Sequence, residues 1–174
     1  MYFIKRLLII LVLFSFDYDH LAADTPYFLD FKKILNQSEA GKKAQTFLKN
    51  KLDKGIKNIK DKEKKLQEEE RKIIQQKKVI SAEEYKKKVS ELRKKVADLQ
   101  KQRNSLLASV ADQRAKARNE LLKNLNPIIS DFMKEKKIRM VVDKKSLLLA
   151  DENLDITKDI LSLLNKKLKS IKLN

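Results

Sequence analysis

From residue 39 to residue 137 the apolar residues recur at helical spacing, with almost no breaker among them. In the first half of this stretch Leu48, Leu52, Ile59, Leu66, Ile73 and Ile80 fall on one line, the last five spaced by seven, while the companion heptad positions near Glu63, Glu70 and Lys77 are polar. This is half of a coiled-coil seam, and it predicts a long helix with a thin apolar stripe. Around Ser81 the pattern restarts. Ser81 is followed three residues later by Glu84, the spacing of a capping box in which a hydroxyl accepts a hydrogen bond from a free amide of a new helix. The return stretch is better patterned: Tyr85, Val89, Leu92, Val96, Leu99, Leu106 and Val110 follow steps of four and three, broken only by Arg103, and Leu121, Leu125, Ile128 and Phe132 carry a stripe onward. The expectation is an antiparallel helical hairpin with its tip near residues 79–84, in which Ile73 faces Val89 or Leu92, Leu66 faces Leu99 and Ile59 faces Leu106.

The flanks read differently. Thr25 to Asp30 is a short β-prone run in which Pro26 is tolerable only at the first position or on an edge. Phe31 to Leu35 predicts one helical turn, and Asn36-Gln37-Ser38 offers a cap before Glu39. Beyond the hairpin, Lys137 to Asp143 is a β-branched run, Lys144-Lys145 a turn, and Ser146 to Ala150 a further strand. Asp155-Ile156-Thr157 then caps a last helix whose Ile156, Ile160, Leu161, Leu164 and Leu168 share a face. The expected fold class is α+β, mostly α: long coiled-coil arms over residues 39–137 on a small β/α body built from residues 24–38 and 138–174. An arm of about 40 residues would reach roughly 60 Å at 1.5 Å per residue. Three short strands and one helix bury too little to anchor such arms, which predicts oligomerisation through the body.

Residues 1–23 have the layout of a cleaved signal peptide: Lys5 and Arg6, the apolar run Leu7 to Phe16, then Leu21-Ala22-Ala23. Spanning a bilayer takes roughly 20 apolar residues, more than this run supplies. The chain has no Cys, which for an exported protein fits a bacterial envelope better than a disulfide-stapled secretion. Cleavage would remove two basic and two acidic residues, so the mature chain keeps the net charge of +17. Catalytic chemistry is poorly served. The only His is His20, inside the expected leader, and the two glycines, Gly41 and Gly55, stand apart rather than forming a phosphate loop. Glu83-Glu84 and Asp151-Glu152 read as solvated surface. No enzyme, metal site or cofactor is expected.

The charge directs attention to acidic partners. Lys86-Lys87-Lys88 and Arg93-Lys94-Lys95 recur seven residues apart beside the seam, so they are the candidate contact residues for acidic clients or for anionic lipid and lipopolysaccharide. The same six residues would serve equally as the solvated flank of a coiled coil. Nucleic acid is a weaker match for an exported chain whose few aromatics form no evenly spaced stacking platform.

The stretch Ile138-Arg139-Met140-Val141-Val142-Asp143, then Ser146 to Ala150, then Leu154-Asp155-Ile156-Thr157 running into an amphipathic helix, resembles the C-terminal signature of the Skp/OmpH family of periplasmic chaperones. The leader, the strand at Tyr27 to Asp30 and the long basic hairpin agree with it. The resemblance implies a homotrimer whose strands join in a β body and whose arms surround a cavity that holds unfolded outer membrane proteins without ATP. The competing expectation is a periplasmic coiled-coil adaptor that binds one folded partner or anionic lipid.

Overall fold

A computed structural model describes residues 25–173; the expected signal peptide lies outside them. A short strand β1 (Tyr27–Leu29) leads into helix α1 (Phe31–Gln37), and the hairpin follows as α2 (Glu39–Gln76) and α3 (Ala82–Glu135). The chain closes with strand β2 (Val141–Asp143), two 3₁₀ turns at Lys144–Ser146 and Glu152–Leu154, and helix α4 (Thr157–Lys167). At 1.5 Å per residue α2 and α3 are roughly 57 and 81 Å long.

Local chemistry sets these boundaries. Asp30 Oδ1 accepts from Lys33 N at 2.7 Å to start α1. Ser38 is buried, ends α1 by donating its N–H to the Ile34 carbonyl, and starts α2 by accepting from Gly41 N at 3.1 Å. Ser81 does the same for α3, accepting from Glu84 N at 3.2 Å, so the turn at the tip sits at residues 77–80. Gly41 is required by close approach: a Cβ there would lie 2.0 Å from the Leu35 carbonyl oxygen, a backbone atom of α1. At Gly55 the intruding atoms would be the Leu106 methyl groups, at 2.4 Å and 2.7 Å, and a side chain can turn away.

The two strands pair in parallel, Tyr27 with Val141, Phe28 with Val142 and Leu29 with Asp143. A parallel pair needs a long crossover, and here the whole hairpin is that crossover. On its other edge β1 meets the residues before α4: Phe28 bridges Asp155, and Ile156 N donates to the Phe28 carbonyl at 3.0 Å. Thr157 fastens the join. Its buried hydroxyl accepts from Asp30 N at 2.8 Å and donates to Asp155 Oδ1, which also accepts from Thr157 N at 2.9 Å. The cap position of α4 falls to Ile156, which has no side-chain oxygen to offer, and Asp155 just before it takes the first helical N–H instead, so the segment starts α4 and also ties it to β1.

The core lies in this body. Leu29, Ile34 and Ala40 pack with Leu121, Leu125 and Ile128 of lower α3, with Ile138, and with Ile156, Ile160 and Leu164. Ile34, Leu125, Ile160 and Leu164 are fully buried, each worth roughly 1.5–3 kcal/mol of transfer free energy. The stripe expected at Leu121 to Phe132 is thus a wall of the body, which explains why α3 outruns α2.

One expected strand is absent. Ser146 to Ala150 does not pair: Ser146 completes a 3₁₀ turn that Asp143 caps by accepting from Lys145 N at 3.2 Å, and the chain leaves the sheet. Leu148 and Leu149, 107% and 93% exposed, project into solvent. An extended segment is a strand only when another strand accepts its ladder, and no partner edge lies beside this one among the described residues.

Gly41→Ala should destabilise the chain by roughly 1–3 kcal/mol despite a better helix propensity, because backbone must move, whereas Gly55→Ala should be near neutral; urea denaturation of both measures the contrast. For Asp155, burial raises the carboxyl pKa, but the side-chain and backbone hydrogen bonds from Thr157 and the Lys144 ammonium outweigh it, so the net shift is downward. A lowered pKa contributes stability above the unfolded value that is lost as pH falls through the folded one. The native chain should therefore lose more stability than Asp155→Asn between about pH 7 and pH 3; equal losses would remove Asp155 as a source of acid sensitivity.

Candidate functional site

Among the described residues the arms α2 and α3 are the only elements large enough to offer an extended surface. Their seam alternates between apolar and polar rungs. Leu48, Ile59, Ile73, Leu99 and Val110 are buried along it, Leu66 lines a small recess together with Val96 and Leu99, and Leu106 closes over Gly55. The polar residues that interrupt the heptads answer one another across the gap. Arg103, which breaks the series on α3, meets Glu63 of α2 at 2.5 Å, and Lys95 meets Glu69 at 2.6 Å. Lys62 reaches Gln102 at 2.6 Å, Lys88 reaches Gln76 at 2.9 Å, and Lys51 binds both Ser109 and Gln113 at 2.9 Å. One register serves all of these contacts.

Magnitudes decide what the seam can do. The two cross-arm ion pairs are about half exposed, and such pairs are worth roughly 0–1 kcal/mol each. They fix register more than they add strength. Val96, expected within the seam, is half exposed. Phe47, Ile56, Ile74, Val79 and Leu107 are exposed too, so the arms present scattered apolar side chains among lysines. At the tip the Lys77 ammonium stands 5.8 Å from the Tyr85 ring centre.

The six candidate cations do not form one surface. Lys86, Lys87 and Lys94 share an outward face with Glu83, Ser90 and Glu91 around a shallow depression. Lys88 and Lys95 turn inward to Gln76 and Glu69, and Lys88 also lies 4.0 Å from Glu84. Arg93 sits on another side, beside Glu70 and Leu66. Three consecutive residues sweep about 200° around a helix, so a run of three lysines cannot all point to one side.

Two features escaped the sequence reading. Beyond α4 the tail runs back along the arm root: Leu173 is buried against Ala44, Leu48, Val110 and Ala117, and its carbonyl accepts from Gln113 Nε2 at 2.7 Å. Lys169 and Asn165 both hold Glu39, the first through its carboxylate at 3.1 Å and the second through its backbone N–H at 2.8 Å. The second feature is a groove at the same root, lined by Leu48, Leu52 and Leu121 with Lys49, Arg114 and Arg118. Alternating Ile171 and Leu173 were a visible signal for the first; the i, i+4 pair Arg114 and Arg118 was the signal for the second.

Among the described residues no His, Cys, Asp and Glu cluster could hold a metal, and no helix is long and apolar enough to cross a membrane. The class the structure defines is a long helical hairpin clasped at its root by a small α/β body. The family model described as outer membrane protein (OmpH-like) matches residues 27–164, and this chain belongs to that family. It is similar to the crystal structure of an OmpH-like candidate outer membrane chaperone from Caulobacter crescentus CB15, with TM-score 0.79 and 19% identity over 85% of this chain and 89% of that one. A search of the curated proteins found no match.

Leu125→Ala in the body should cost about 2–5 kcal/mol, and Arg103→Ala in the arms less than about 1 kcal/mol. Chemical denaturation of the two variants reads the difference; comparable losses would mean that the arms carry as much stability as the body.

Proposed function

We propose that this chain is a non-enzymatic, ATP-independent periplasmic holdase that binds unfolded outer membrane proteins between its arms and keeps them from aggregating. Membership of the OmpH-like family supports this. The observation that carries it is the composition of the arm surface: exposed Phe47, Ile56, Ile74, Val79, Val96 and Leu107 stand among basic side chains on a seam held by weak polar rungs. A chain of many conformations is held best by many weak contacts spread over a surface that can adjust, and a field of +17 speeds its capture. The lysines on the outward face of α3, Lys86, Lys87 and Lys94, also suit anionic lipid or lipopolysaccharide headgroups.

The reading includes self-association, with three copies joined through their bodies. Leu148, Leu149 and the half-exposed Met140 are apolar surface that a second copy would cover, and Ser146 to Ala150 would then have an edge to pair with. Export by the leader at residues 1–23 delivers the protein to the compartment where such clients pass.

Right-angle light scattering of a porin diluted from denaturant tests the function. Suppression at near-stoichiometric protein without nucleotide is expected, weakening as salt rises because screening shortens the reach of the charge. No suppression of any unfolded client, together with saturable binding to one folded protein, would favour a structural adaptor instead.

A further inference from the structure

The arm root has two sides, and only one is covered. Helical spacing puts Lys51 on one side of the buried line through Ala44 and Leu48, and Gln45, Lys49 and Leu52 on the other. On α3, Ser109 and Gln113 face the Lys51 side, and Arg114 and Arg118 face the Lys49 side. The tail occupies the Lys51 side: Leu173 is buried and Ile171 half-buried against the seam, Lys172 between them is exposed, and Gln113 holds the main chain. The Lys49 side is the groove of about 730 Å³ floored by Leu48, Leu52 and Leu121.

The groove differs from the covered side in charge. No carboxylate lines it. Lys116 nearby is held by Asp112 at 2.9 Å, whereas no ion pair among the described residues engages Lys49, Arg114 or Arg118. A tail from a second copy is a poor occupant, since its Lys169 and Lys172 would meet like charge.

We propose that this groove is a binding site for an extended segment with alternating apolar and acidic residues, its apolar side chains seated on the leucine floor and its carboxylates on Arg114, Arg118 and Lys49. The site deepens the chaperone reading, on which it rests, by naming a place on the arms and the chemistry of the client segment held there. The tail shows the mode of binding: this seam accepts a non-helical segment whose alternate side chains, Ile171 and Leu173, go down while the main chain is held by Gln113. Arginine suits the rim, because its planar fork takes a carboxylate through two hydrogen bonds.

The experiment uses the full chain and a short fluorescein-labelled peptide alternating leucine and aspartate, read by fluorescence anisotropy. Arg114→Glu with Arg118→Glu should weaken binding at least about tenfold. Lys166→Glu with Lys167→Glu, an equal charge change on α4, should weaken it much less, and a leucine–lysine peptide should not bind. A photo-crosslinking residue at Gln45 should capture the aspartate peptide. Equal weakening by the two double variants, or no capture from position 45, would overturn the site. Porin aggregation on the same samples separates the claims: suppression without peptide capture removes the groove and leaves the chaperone reading, whereas peptide capture without suppression supports the groove and removes the chaperone reading.

Discussion

Two helices packed as an isolated antiparallel pair touch along a single stripe, and a stripe buries too little to hold them against the entropy of their ordering. Everything else in this chain answers that constraint. The two ends of the polypeptide are brought together so that β1 lies between β2 and the residues before α4, and Thr157 links segments 127 positions apart through Asp30 N. With the ends clasped, the hairpin becomes a closed excursion from the body. Its stability is imported from the root, where Leu121, Leu125 and Ile128 of α3 are buried in the body's core.

The same economy shapes the arms. A continuous leucine seam would make them stiff and self-sufficient; rungs such as Glu63 with Arg103 and Glu69 with Lys95 keep the register at little net gain. They leave apolar side chains outside, where a folded partner would not need them scattered and an unfolded one does. For the holdase proposed above this would be a useful division: a body that fixes where the arms start, and arms with little packing of their own. The tail at the root, gripping α2 through Glu39 and α3 through Gln113, ties both arms to the body.

Much of this was legible in the residues because the interactions are local and periodic. The heptads from Leu52 to Ile73, the Ser81 to Glu84 spacing and the apolar face of α4 each follow from one helix repeat or one cap, whereas Ile80, in step with that line, falls in the turn. What was illegible depends on contacts between distant segments. The seam near the root is carried by Ala44 and Ala117, which are too small to register as a stripe yet let the helices approach. Arg103 reads as a break until Glu63 is seen opposite it. Ser146 to Ala150 has strand composition, but composition cannot supply a neighbouring edge, and the Asp143 cap turns the chain away. The cationic runs at Lys86 to Lys88 and Arg93 to Lys95 look like patches in one dimension; the helix distributes them over several faces.

Hydrogen exchange along the arms reads most directly whether the hairpin is held from its root. Amide protection should be greatest around Leu125 and Ile128, fall steadily through Leu99 and Ile73, and be least beside the turn at residues 77–80, because opening can begin at the tip without disturbing the body. Uniform protection from root to tip, lost in one cooperative step, would show that the arms stand by their own packing and would contradict the account.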